Sequence, residues 1–107
     1  MAWNADGTRR PTCIFEAARL RLAVKPVCRC GHSATFDPHG LWWLFECRGW
    51  DDRLGMAKVR FWCRLCRAER NKKVHPLMLD TVAGSDSDLL FQWPPESEWK
   101  RALNRAR

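Results

Sequence analysis

Six cysteines stand in the 107-residue chain, and four of them form two short pairs. These are Cys28-Arg29-Cys30-Gly31-His32 and Cys63-Arg64-Leu65-Cys66. Zinc takes four thiolates tetrahedrally without redox chemistry, and two pairs on separate turns present them to one ion. The spacing predicts a Zn2+ site built from Cys28, Cys30, Cys63 and Cys66. Gly31 follows Cys30 directly, where a tight turn needs a residue tolerant of positive φ. His32 is the substitute ligand: in place of Cys28 it gives a site of three thiolates and one imidazole. His39 and His75 lie outside any matched spacing and are weaker candidates. Cys13 and Cys47 have no partner at metal spacing and read as buried free thiols. A closed four-ligand site leaves no position for water or substrate, so its expected role is structural. Small metal domains draw much of their folding energy from the ion.

A basic and aromatic set surrounds the second pair. Segment 58–73 carries seven Lys or Arg against one acid, Glu69. Read as a strand, Lys58–Arg64 sets Val59, Phe61 and Cys63 on one face and Lys58, Arg60, Trp62 and Arg64 on the other. An exposed Trp between arginines stacks a base while the guanidinium groups hold phosphates. Such a focused patch is the electrostatic footprint of a nucleic-acid binder. The expected contacts to DNA or RNA are Arg60, Trp62, Arg64, Arg67, Arg70, Lys72 and Lys73. Plain solvation with a surface cation–π contact is the competing reading.

A different class of function is a protein-interaction module: a small regulator or a phage-type inhibitor of a nucleic-acid machine such as a CRISPR complex. It docks on an acidic protein or nucleoprotein partner through Trp42 and Trp43, since large aromatics are enriched at interface hot spots. Burial of that pair in a core helix is the reading set against it.

Composition bounds the remaining classes. The chain is long enough for one domain with a modest core. At 46% hydrophobic and 29% charged residues it is not a disordered chain. The longest apolar run, Leu41-Trp42-Trp43-Leu44-Phe45, falls far short of the ~20 residues of a membrane span. The first ten residues hold no apolar stretch of the secretory kind, which places the chain in the cytoplasm, where clustered thiols bind metal rather than pair. The formal charge of +7 is concentrated in residues 25–75, which carry +6. No Gly-x-Ser-x-Gly elbow, His-Glu-x-x-His or Gly-rich phosphate loop is present. No Glu follows a His at the spacing a zinc deaminase needs. The expectation is a non-enzyme without a small-molecule substrate.

The elements that position these residues form an α+β domain. Residues 1–11 read as a loose arm, 12–75 as the metal core, and 76–107 as a loop plus C-terminal helix. Thr12 starts a helix over Cys13–Arg19. Leu20, Leu22 and Val24 alternate with polar or small residues, a strand leading to Cys28. Asp37-Pro38 opens a helix through Leu41, Leu44 and Phe45 that stops near Gly49. Asp51–Ala57 reads as a loop or short helical turn, Lys58–Cys63 as a second strand, and Asn71–Val74 as a candidate third. Gly84–Asp88 reads as a loop. After Pro94-Pro95, residues Trp99, Ala102, Leu103 and Ala106 mark an amphipathic helix with a Glu96–Lys100 pair.

Residues 27–38, Val-Cys-Arg-Cys-Gly-His-Ser-Ala-Thr-Phe-Asp-Pro, precede an apolar helix and then Val59-Arg60-Phe61-Trp62-Cys63-Arg64-Leu65-Cys66. Over about residues 12–75 this arrangement resembles small uncharacterised bacterial zinc-ribbon proteins. Those show Cys-x-x-Cys-Gly-His, an Asp-Pro helix start, and an Arg-Leu-x-Cys-x-x-Cys-Gly return. Here the first pair is one residue shorter and Arg67 replaces the final glycine. The resemblance implies a zinc-binding core on a small αβ frame, with a helix between two knuckles, and it brings no activity.

Overall fold

Residues 2–3, 9–83 and 92–105 are described by the computed structural model of the chain. In chain order the elements are β1 (Ala2–Trp3), β2 (Arg9–Arg10), α1 (Ile14–Arg19), β3 (Leu22–Val27) and α2 (Pro38–Arg48). They continue with α3 (Leu54–Ala57), a 3-10 turn (Lys58–Arg60), α4 (Arg64–Arg70), β4 (Met78–Ala83) and α5 (Glu96–Arg105). The architecture is α+β, as its composition and patterning led us to expect.

Helix α1 buries Ile14, Ala17 and Ala18, the i, i+3, i+4 stripe of one helical face. Its cap residue is Cys13, and Thr12 instead donates from both its N–H and its hydroxyl to Glu16. The N–H groups left open at the helix start find Asp52: Ile14 donates to its carbonyl and Phe15 to its carboxylate. Helix α2 begins where Asp37 accepts from the Gly40 N–H at 2.9 Å. It ends at Gly49, whose φ of 67° closes the helix in the left-handed conformation. Leu41, Trp42 and Phe45 point into the core with Ile14, Val24, Ala57, Leu79 and Ala102. Helix α5 closes this core, with Trp99 5.4 Å from Phe15 and 5.2 Å from Trp42, ring centre to ring centre. The Glu96–Lys100 pair forms at 3.0 Å.

Strand β3 pairs antiparallel with β4, from Leu22 opposite Ala83 to Val27 opposite Met78. Its other edge makes bridges Val24–Phe36 and Val27–Ser33. Successive strand residues face opposite sides, so burial of both Ala23 and Val24 means that both faces are covered there. The strand starts at Leu22 rather than Leu20, because Leu20 and Arg21 finish α1 and Arg21 takes a φ of 56°. The N-terminal segment pairs β1 with β2 over two residues. Residues 84–91 and 106–107 lie outside the described ones, and with them the loop expected at Gly84–Asp88 and the helical position of Ala106.

The expected strand over Lys58–Cys63 is not formed. Lys58–Arg60 extend α3 as a 3-10 turn, because Ala57 is wholly buried and holds the helical segment against the core. Val59, expected inside, is exposed. Arg64–Arg70 is a helix, favoured by its run of Arg, Leu, Ala and Glu and closed by Asn71 in the left-handed conformation. Asn71–Val74 lies outside any strand, and β4 occupies Met78–Ala83 instead.

Candidate metal centre

The first cysteine pair sits on the turn that ends β3. The Cys28 N–H donates to the His32 carbonyl and the Gly31 N–H to the Cys28 carbonyl, so the chain reverses within four residues. Gly31 takes the positive φ, 88°, that this reversal demands. The second pair sits on a helix start rather than on a strand turn. Cys63 caps α4, Cys66 lies one turn in, and the Cys63 N–H is tied to the Val74 carbonyl at 3.0 Å.

These two pieces bring the four sulfurs within 4.8 Å of one another. Cys28 lies 3.6 Å from Cys66 and Cys30 lies 3.6 Å from Cys63. A disulfide holds its sulfurs at about 2.05 Å, so these are four free thiols. A tetrahedral ion with bonds of about 2.3 Å separates its sulfurs by about 3.8 Å. The quartet thus has the span of one tetrahedral tetrathiolate site. Cys28, Cys63 and Cys66 are buried and Cys30 opens to the surface.

Electrostatics point the same way. The Cys30 backbone N–H, aided by the neighbouring thiols, brings the Cys28 thiol down to about 7. Burial, then hydrogen bonding to the other three thiols and the charge of Cys28, pushes Cys66 up to about 12. The His32 N–H favours the Cys30 thiolate, yet desolvation and its Cys63 and Cys28 neighbours carry that thiol upward too. The first thiol ionises readily and the last resists, as expected of packed thiols that need a cation to be deprotonated together.

Other expected residues lie elsewhere. His32 is not in the four-thiol cluster; it supplies its carbonyl to the turn. His39 stacks on Trp93, 4.5 Å between centroids, and His75 Nδ1 lies 2.7 Å from the Phe61 carbonyl. Cys13 is half-buried. Cys47, expected to be buried, is exposed because α2 turns it away from Leu41, Trp42 and Phe45.

Among the basic residues, Arg64, Arg67 and Arg70 stand exposed on α4 at a spacing of three, which sets them on one side of the helix. Arg67 also donates to the Asn71 side chain at 2.9 Å. Lys72 and Lys73 follow, and the Lys73 ammonium lies 5.7 Å from the exposed Trp62 ring. Arg60 is engaged apart from them, its guanidinium 4.5 Å over Trp50, since the 3-10 turn breaks the alternation expected to align it with Trp62. Trp42 is buried and Trp43 packs half-buried against the same core, so Trp42 offers no docking face.

Sequence reasoning missed an apolar groove of about 470 Å³ beside the thiols. One wall comes from residues 28–36 and the other from 61–65. No pattern within either segment marks it, because it exists only where the two meet. No helix of the described residues is long and apolar enough to cross a membrane. No protein-family model, curated protein or solved structure matches the chain. The resemblance to zinc-ribbon proteins rests on its motifs, and the four-cysteine cluster shows that the chain has a site able to hold a metal ion.

Proposed function

We propose that the chain is a non-enzymatic zinc-binding module that docks on nucleic acid through the surface its metal centre holds in place. The observation carrying this reading is the convergence of four thiols from a strand turn and a helix start. Zn2+ suits four soft ligands in a closed tetrahedron, and such a site is structural. The ion joins the first turn to α4, and α4 carries Arg64, Arg67 and Arg70 outward. With Trp62, Lys72 and Lys73 beside them, the exposed groups combine phosphate-binding charge with a stacking ring. Arg60 joins this surface only by leaving Trp50.

The test is binding of labelled DNA and RNA by the zinc-loaded chain across a salt series. Affinity is expected to fall with salt, and an Arg64/Arg67/Arg70 triple alanine variant to reduce the log–log slope by about 2. Undetectable affinity at low salt, or an unchanged slope in the variant, contradicts the proposal.

A further inference from the structure

We infer that the groove beside the metal centre takes an unpaired base, so that the module selects single-stranded over duplex nucleic acid. The inference rests on the proposed nucleic-acid reading and names its substrate class. The groove runs between the first metal turn, with His32 and Ser33, and the segment Phe61–Leu65. Phe36 lines one wall and Phe61 the other, edge to face with ring centroids 5.2 Å apart. Trp62 and Leu65 line it as well, and both are large apolar side chains left about half exposed, at 44% and 47%.

Its size falls within the ~300–1,000 Å³ usual for clefts that enclose small ligands. The lining is mostly apolar, with the hydroxyl of Ser33 and the imidazole of His32 as edge groups able to hydrogen-bond a base. No acidic residue lines it, and Arg64 does. A zinc tetrathiolate behind Cys28 and Cys63 carries a net −2, so the attraction for a phosphate comes from Arg64 and from Lys73, whose ammonium lies 5.7 Å from the Trp62 ring. The recess itself offers aromatic surface to a base. Bases in a duplex are stacked within the helix and present only their edges. A ring-lined recess is filled only by a base that has left the stack, as in recognition of single strands. Cys28 lines one wall and Cys63 the other, so an ion at the thiols ties the two walls together.

The test uses the full zinc-loaded chain and three labelled probes of equal length: oligothymidine, oligouridine and a DNA duplex, at low salt. Both single strands are expected to bind about tenfold or more tightly than the duplex. Trp62→Ala is expected to lose about tenfold on single strands and little on the duplex, while Trp62→Phe keeps a stacking face and recovers most of the affinity. Zinc content checks the fold of each variant, and Trp62 is exposed enough for both to load fully. Equal binding of duplex and single strands, or full single-strand affinity in folded Trp62→Ala, overturns the inference while the docking proposal stands. A chain that binds none of the three probes overturns both.

Discussion

Six thiols of one residue type fall into three chemical situations. Four crowd at 3.6–4.8 Å and favour a shared cation. Cys47 is exposed on α2. Burial, with the Asp52 and Glu16 carboxylates nearby, pushes Cys13 up to about 11. At pH 8 the zinc-loaded chain is therefore expected to take up one alkyl group from iodoacetamide, at Cys47. A chelator is expected to add the four clustered thiols, read by peptide mass. The Cys13 shift also fixes a pH effect. Its folded pKa lies above the unfolded value near 9, so the folded state holds the proton that the unfolded state has released. Its contribution is whole below about pH 9 and is lost as pH rises toward about 11. Denaturant titrations of Cys13→Ala across that interval are expected to show a flatter alkaline decline than the parent chain.

Helix ends carry the most readable information at the scale of elements. Asp37→Ala removes a buried cap and is expected to cost about 1–2 kcal/mol. A Cβ at Gly49 meets nothing within 4 Å, so Gly49→Ala tests the left-handed backbone alone, at about 1 kcal/mol. Urea midpoints check both. Helix α2 was legible because an Asp-Pro start and a closing glycine bound an apolar run, and α5 because an apolar stripe follows two prolines. The four thiols were legible because ligand spacing depends on the metal rather than on the surrounding fold. Segment 58–63 was not: its alternation suits a strand, but Ala57 anchors it as a continuation of α3. Strand β4 carries Asp80 at its centre and pairs with residues more than fifty positions away, so no local pattern discloses it. Helix α4 spans only seven residues, too few to show a period, and its Asn71 closure was the available signal.

Across the whole molecule, two centres of stability stand apart. The aromatic core unites α1, α2, β3, β4 and α5 around Phe45, and Phe45→Ala is expected to destabilise the chain by about 3–5 kcal/mol. Among the described residues, Val74 is the partly buried hydrophobic packed against the thiol cluster, so the surrounding turn and α4 are expected to need a bound ion for their order. Metal removal is thus expected to raise amide exchange across Arg64–Arg70 while Pro38–Arg48 stays protected. Equal loss of protection in both would show one cooperative unit. The basic surface lies beside the thiol cluster, so the proposed docking is expected to require a loaded metal site. The most direct measurement is therefore elemental analysis of the purified chain beside a Cys63→Ser/Cys66→Ser variant. About one zinc per chain, lost in the variant, is the result this account expects, and a folded parent chain free of metal would contradict it.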